Sequence, residues 1–360
     1  MKSFKQELRK QKIHLALIIN STLQDPNFYY LTNVTPENAF MLISSKFSTK
    51  IYCSPLESAQ LKSKSKIKAF YNLDKKTFEK MIALIRKYRI KKIGMNLSTI
   101  TVNEFNGIKK RIQKQVKGIK FVDISNLLRK TRAIKTKQEI KLYKKATKIT
   151  EIIWEKTLKY IKSKRSITEI QVKEFMEKEM NNLNLTSSFP TIVASGKNSS
   201  IPHYVPQKKK LSKGFCVIDF GINYKGYCTD ITRTIYLGKP SQKEIDLYKL
   251  IFDTKNYAAS LIKPNQFSAT ISKKTRKFLG EYDKYFTHGL GHGIGLEIHE
   301  LPNLKVTAKE KFQPNMIFTI EPGIYIKNKL GIRLEDDYLL TNKSIIQLTK
   351  APKNLAVINR

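Results

Sequence analysis

The chain has 360 residues, with 68 Lys+Arg against 29 Asp+Glu, a formal net charge of +39. A hydrophobic share of 41% with 18 Phe and 17 Tyr is enough for real cores and excludes low-complexity, collagen-like, coiled-coil and disordered chains. The charge would attract nucleic acid or anionic lipid nonspecifically, but the lysines are spread along the whole length, as on solvated helix faces, and form no binding block. Cys53, Cys216 and Cys228 imply no disulfide framework and fit a reducing compartment. No small-residue cleavage site follows the short apolar run Ile13–Ile19, and no segment approaches the roughly 20 apolar residues that span a bilayer. The expectation is a soluble, cytoplasmic protein with no membrane partner.

In chain order, the first third alternates strand-like and helix-like stretches. His14–Ile19, Ala39–Ile43 and Lys50–Cys53 read as strands, and Thr77–Tyr88 as a helix with Phe78, Met81, Ile82 and Ile85 on one face. Ile90–Met95 is then a strand, Val102–Gln115 a helix and Lys120–Ile124 a strand. This alternation predicts a small α/β domain, residues 1–128, followed by a second domain, residues 129–360. There, Thr136/Glu139, Ser166/Glu169 and Ser241/Glu244 have capping-box spacing and predict helix starts. The first of these helices presents Ile140, Tyr143, Ile149 and Ile153, and the last stops at Lys263-Pro264. Phe215–Phe220, Tyr227–Tyr236, Met316–Ile320 and Ile332–Leu340 read as strands. Helices grouped against mostly antiparallel strands make this domain α+β.

Four of the five histidines, His203, His288, His292 and His299, fall in the second domain beside conspicuous Gly and Pro residues; His14 sits in an apolar strand and reads as structural. The segment Gly214–Thr234 reads as a hairpin, with its turn centred between Tyr224 and Lys225. That register would set Asp219 opposite Asp230, with Cβ atoms about 4.5–5.5 Å apart. Two carboxylates so close need a positive partner, either a divalent cation or Arg233 or a lysine. Glu321 and Glu335 lie at the margins of apolar strands, where a functional acid and a solubilising edge charge are both open readings. His288–Gly295 is too glycine-rich for a helix or a regular strand; a bend there would bring His292 and His299 to one site, which a straight strand would not. The glycines do not match a dinucleotide fingerprint, because Ile294 occupies the third position.

Five separated segments, in order, resemble the metallopeptidases of the methionine aminopeptidase, aminopeptidase P and prolidase family, with its "pita-bread" fold. They are Phe189–Gly196 with Pro202-His203, the Asp219–Thr234 hairpin, His288–Glu300, Ile320–Tyr325 and Gly331–Asp336. The first domain is similar to the creatinase-type N-terminal domain, with Tyr29-Tyr30-Leu-Thr as its best local match. The resemblance implies two divalent ions, Mn, Co or Zn, held by Asp219, Asp230, His292, Glu321 and Glu335, with Asp230 and Glu335 bridging. It implies attack by metal-bridged hydroxide on the scissile carbonyl, with Glu321 handling the proton and His203 and His299 as donors. His288, Arg333 and the extra N-terminal domain match the proline-directed branch, and Tyr204 is a candidate for lining a proline slot. The implied function is hydrolysis of the Xaa-Pro bond at peptide N-termini, as in aminopeptidase P; the alternatives are a prolidase restricted to dipeptides and a non-catalytic polyanion-binding protein. The substrates are peptides with proline second, a homodimer is expected, and any nucleic-acid contact would be nonspecific.

Overall fold

The computed structural model describes residues 2–359, which form two compact units divided between Arg132 and Ala133. In the first unit, six strands form one mixed sheet: β1 (Leu15–Asn20), β2 (Ala39–Ile43), β3 (Lys50–Cys53), β4 (Phe70–Asn72), β5 (Lys92–Met95) and β6 (Lys120–Asp123), in the order β4-β3-β2-β1-β5-β6. The strands alternate between two cores, as their period of two requires. Ala16, Ile18, Met41 and Ile51 face α1 (Lys2–Lys10), α2 (Pro26–Thr32) and α6 (Ser125–Ala133), where Phe4, Phe28 and Leu128 close one core. Leu15, Leu17, Leu42 and Tyr52 face α4 (Thr77–Lys87) and α5 (Val102–Gln115), where Met81, Ile85 and Ile112 close the other. The sequence reading lacked α1, α2, β4, α6 and α3 (Pro55–Lys64).

The second unit opens with α7 (Lys137–Ser163), whose Thr136/Glu139 capping box is present with both hydrogen bonds. The Ser166/Glu169 box is corrected: α8 (Glu169–Asn181) is capped by Thr168 with Gln171. Glu169 has a different use; it is fully buried, and its Oε1 accepts from Ser195 N, Ser195 Oγ and Asn198 Nδ2. Next come β7 (Thr186–Ser187), β8 (Ile192–Ser195), β9 (Gly214–Phe220), β10 (Ile222–Tyr224), β11 (Tyr227–Cys228) and β12 (Ile231–Leu237). Helices α7 and α8 bury Ile153, Trp154, Val172 and Met176 against Ile218, Ile231 and Ile235 of β9 and β12. Each fully buried side chain of this size contributes about 1.5–3 kcal/mol.

A second helix–sheet pair follows. Helix α9 (Gln242–Leu261), capped by Ser241 and Glu244, and α10 (Ser268–Leu279) cover β13 (Gly291–Gly293), β14 (Glu300–Leu304), β15 (Ile317–Ile320), β18 (Asp336–Leu340) and β19 (Ile345–Gln347), once β16 (Gly323–Ile326) and β17 (Leu330–Arg333) have formed a separate hairpin. The last strand, β20 (Val357–Ile358), returns to lie parallel to β12. The α+β expectation is met. The long strands expected at Tyr227–Tyr236 and Ile332–Leu340 are each broken, at Thr229-Asp230 and Leu334-Glu335. Glu335 N donates to Thr232 O at 3.1 Å, and Thr234 Oγ1 donates to Arg333 O at 2.8 Å, so the breaks lie where the two halves of this unit are joined. The join is braced by a buried charge cluster in which Asp336 accepts from Arg233 at 2.6 Å and from Lys255.

Candidate metal centre and active site

Asp219 is the penultimate residue of β9, and Asp230 immediately precedes β12. Their register differs from expectation. The turn is centred between Lys225 and Gly226, both with positive φ (52° and 84°), which suits the right-handed twist of a two-residue hairpin. The partner of Asp219 is therefore Thr232, and Asp230 falls two residues away on the same strand face. Arg233 does not serve this pair; its guanidinium is spent on Asp336 and on the carbonyls of Thr232, Glu335, Ala351 and Pro352. Asp219 instead accepts from Arg333 Nη2 at 2.6 Å.

The glycine-rich segment does contain a strand, β13, but only three residues long and with a register break between His292 and Gly293. Its glycines allow close packing: a Cβ on Gly293 would lie 2.0 Å from Leu301 O, and one on Gly291 would lie 2.1 Å from Thr319 O. The chain bends beyond β13, and the rings of His292 and His299 meet edge to face, 4.4 Å between centroids. His292 Nε2 is 3.6 Å from Asp230 Oδ2 and 3.7 Å from Glu321 Oε1, the residue directly after β15. Donor atoms of Asp230, His292 and Glu335 all lie within 4.8 Å of one another. Glu335 is held by Thr232, whose Oγ1 donates to Glu335 Oε2 at 2.7 Å.

Three buried oxygens at this centre, Asp219 Oδ1, Asp230 Oδ1 and Glu335 Oε1, have no hydrogen-bond partner among the described residues. Buried acceptors are ordinarily satisfied, and clustered anions ordinarily neutralised. The electrostatics carry the same signature. Burial, then the charge of Glu335, pushes Asp230 well above the carboxylate range; burial and Glu335 do the same to Glu321. Burial and Asp219 raise Glu335 to about 7. Burial, with His299 beside it, lowers His292 to about 3, so its imidazole is neutral and free to bind a cation. Carboxylate oxygens and a neutral imidazole fit a divalent first-row ion.

All ten residues singled out from sequence line one cavity of about 730 Å³. His288 Nε2 is 2.9 Å from Tyr325 Oη, and its Nδ1 is 3.6 Å from Glu321 Oε2. Arg333 is engaged by the protein at all three nitrogens: Nε donates to Thr232 Oγ1 at 3.0 Å, Nη1 to Tyr325 Oη at 2.6 Å and Nη2 to Asp219. The Tyr204 hydroxyl accepts from Asn198 Nδ2 at 2.9 Å and is hydrogen-bonded to the buried Glu169, which leaves its ring to the cavity. Tyr325 and Thr232 were missed. Thr232 was accessible through the Lys225-Gly226 turn, which sets it opposite Asp219; Tyr325 meets His288 and Arg333 only through tertiary packing, which leaves no local signal.

Residues 141–342 match the description "metallopeptidase family M24", and residues 1–134 match "creatinase/prolidase N-terminal domain". A Pyrococcus horikoshii protein named Xaa-Pro dipeptidase is 32% identical over 337 residues, 92% of each chain. The structure of an Xaa-Pro dipeptidase from Bacillus anthracis is similar at TM-score 0.89 and 31% identity, covering 99% of this chain and 98% of that one. An X-Pro aminopeptidase structure from Thermotoga maritima is similar at TM-score 0.86 and 28% identity, covering 98% and 100%. The chain belongs to metallopeptidase family M24 and is a peptidase, with a creatinase-type N-terminal domain and a pita-bread C-terminal domain. The family implies divalent metal.

Proposed function

We propose that this peptidase hydrolyses the Xaa-Pro bond at the N-terminus of peptides, with Asp219, Asp230, His292, Glu321 and Glu335 holding two divalent ions, Mn, Co or Zn. The observation that carries the reading is the convergence of three unpartnered buried carboxylate oxygens with a neutral imidazole. Divalent ions, once bound, offset the carboxylate charge and make hydroxide available near neutral pH. Glu321, beside His288 and His292 in the cavity, is the acceptor for the proton of the attacking water. His203 and His299 stand in the cavity as N–H donors to the leaving nitrogen or the oxyanion. A proline nitrogen has no N–H of its own and departs as a secondary amine, so it needs such a donor. Phe189, Ile192 and the Tyr204 ring supply apolar wall for the pyrrolidine. Arg333, spent on protein partners, keeps Asp219 and Tyr325 in position.

A prolidase restricted to dipeptides is the second reading, and the two solved relatives divide between these names. Cys53, Cys216 and Cys228 are buried and form no disulfide among the described residues, which fits a reducing, cytoplasmic setting, and no helix among the described residues is long and apolar enough to cross a membrane. A homodimer is part of the proposal on family resemblance. The test is hydrolysis of Gly-Pro and Arg-Pro-Pro by purified protein loaded with Mn²⁺, Co²⁺ or Zn²⁺. Cleavage of at least one, abolished by chelation, is expected; activity unaffected by chelation refutes the reading.

A further inference from the structure

Glu169, the first residue of α8, is fully buried and lies outside the lining of the cavity. Its carboxylate is satisfied by hydrogen-bond donors. Oε1 accepts from Ser195 N and Ser195 Oγ at 2.9 Å and from Asn198 Nδ2 at 3.0 Å. Oε2 accepts from Gln207 N at 3.4 Å, and the Tyr204 hydroxyl is bonded to the same carboxylate. That hydroxyl accepts from Asn198 Nδ2 at 2.9 Å, so its own proton goes to Glu169. Ser195 ends β8 and Asn198 sits in the 3₁₀ turn Gly196–Ser200; Tyr204 and Gln207 belong to the irregular stretch 201–208. This stretch carries His203, and Pro202, His203, Tyr204, Val205 and Pro206 form one wall of the cavity. Past the wall the chain rejoins the start of α8, where Ile170 N donates to Gln207 O at 3.1 Å and Glu169 N to Lys209 O at 2.9 Å.

From this network we infer that Glu169 is the positioning residue for His203: it fastens the chain at Asn198, Tyr204 and Gln207, on both sides of the histidine, and so fixes where the imidazole meets the leaving nitrogen. The inference rests on the Xaa-Pro reading above, in which His203 is a donor, and deepens it. His203 itself is exposed, so burial in a core does not hold it. The Pro202 carbonyl before it receives only a long contact from Arg333 Nη1, at 3.5 Å. The fastening calls for a group that accepts at both oxygens, and an ionised carboxylate does. A glutamine at 169 has one oxygen and one NH₂. With its oxygen kept on Ser195 and Asn198, the NH₂ confronts the Gln207 N–H and the Tyr204 hydroxyl, donor against donor. The side chain keeps its shape and the wall loses its hold. Misplacing a reacting group by about 1 Å costs up to about 10²-fold in rate.

The test is a double-mutant cycle on the metal-loaded full-length enzyme: wild type, Glu169→Gln, His203→Ala and the double variant, with whichever of Gly-Pro and Arg-Pro-Pro the wild type turns over faster. Glu169→Gln is expected to lower kcat by about 10- to 100-fold, with a smaller change in KM and with metal content unchanged. In the His203→Ala background the same substitution should cost less than about twofold, because the group it positions is gone. Hydrogen–deuterium exchange read by mass spectrometry gives a measure independent of turnover: amides of residues 201–207 should exchange faster in Glu169→Gln, while those of β9 and β12 keep their wild-type rates. Should Glu169→Gln fail to fold, Tyr204→Phe, which keeps the ring and removes one tie, is expected to show the same pattern at about three- to tenfold in kcat. Losses that add in full in the double variant, or unchanged exchange at residues 201–207, overturn the role of Glu169 and leave Xaa-Pro hydrolysis standing. Failure of wild type to cleave either peptide overturns both.

Discussion

Arg333 Nη2 donates to Asp219 Oδ2 at 2.6 Å, leaving the other carboxylate oxygen of Asp219 buried and without a partner. One residue of the centre is thus oriented by a cation that also holds Tyr325 and, through Thr232 Oγ1, touches the residue that orients Glu335. A lysine at 333 could satisfy one of these contacts but not the fork. Arg333→Lys should therefore lower kcat by about 10²-fold while the fold is retained, as steady-state kinetics and circular dichroism would report. Full activity in that variant would show that the fork has no role.

Thr232 is the residue between the two halves of the site. Its hydroxyl donates to Glu335 at 2.7 Å and accepts from Arg333 Nε at 3.0 Å. Thr232→Val keeps the shape and removes both contacts. Metal affinity should fall roughly 10–100-fold, the usual loss when a group orienting a ligand is removed. A competition titration against a chromophoric chelator measures it.

Gly293 follows His292 in a strand squeezed between β14 and β15, with the Leu301 carbonyl 2.0 Å from where a Cβ would stand. Backbone has to move to admit Gly293→Ala, at a cost of about 1–3 kcal/mol. Urea denaturation should show that loss, accompanied by weaker metal binding because His292 moves with the strand.

The raised carboxylates set a pH dependence for the metal-free protein. Glu335 is raised from 4.5 to about 7, and Asp230 and Glu321 shift in the same direction. A raised pKa means the folded state binds more protons than the unfolded state. The resulting stabilisation is complete below about pH 4.5 and is lost as pH rises through about 7. His288 and His292, lowered to about 3, act in the opposite sense below about pH 6.5, so the comparison is made above it: chelator-treated protein should melt at a lower temperature at pH 8 than at pH 7. Added divalent metal should raise the melting temperature more at pH 8, where it does not compete with protons. Scanning calorimetry at the two pH values, with and without metal, would expose a flat response if the centre were not built for cations.

Much of this was legible because the governing signals are local. The Thr136/Glu139 and Ser241/Glu244 boxes, the periodicity of Val102–Gln115 and the alternation in β1 to β3 each depend on neighbours in the chain. Asp25-Pro26 and Ser54-Pro55 were equally local helix-start signals, with Pro at the first turn and the preceding side chain capping, and they were overlooked. The hairpin register failed by a single turn position, because the turn is centred one residue later, with positive φ at both Lys225 and Gly226. Glu169 misled because its carboxylate is used across the fold by Ser195 and Asn198, not by its own helix. The side chains that the structure brings to one cavity were singled out by type and order. The contacts that hold them, Arg333 with Asp219, Tyr325 with His288, Thr232 with Glu335, join residues far apart in sequence and become visible only in three dimensions.

The most direct measurement is metal content by atomic emission together with Xaa-Pro hydrolysis, for wild type and Asp230→Asn purified identically. Asp230 stands within 3.6 Å of His292 and shares the cluster with Glu335. The expected result is about two divalent ions per wild-type chain, loss of at least one in the variant, and a fall in kcat of at least about 10³-fold. A variant with wild-type metal content and turnover would contradict the proposal that these side chains grip the ions that drive the reaction.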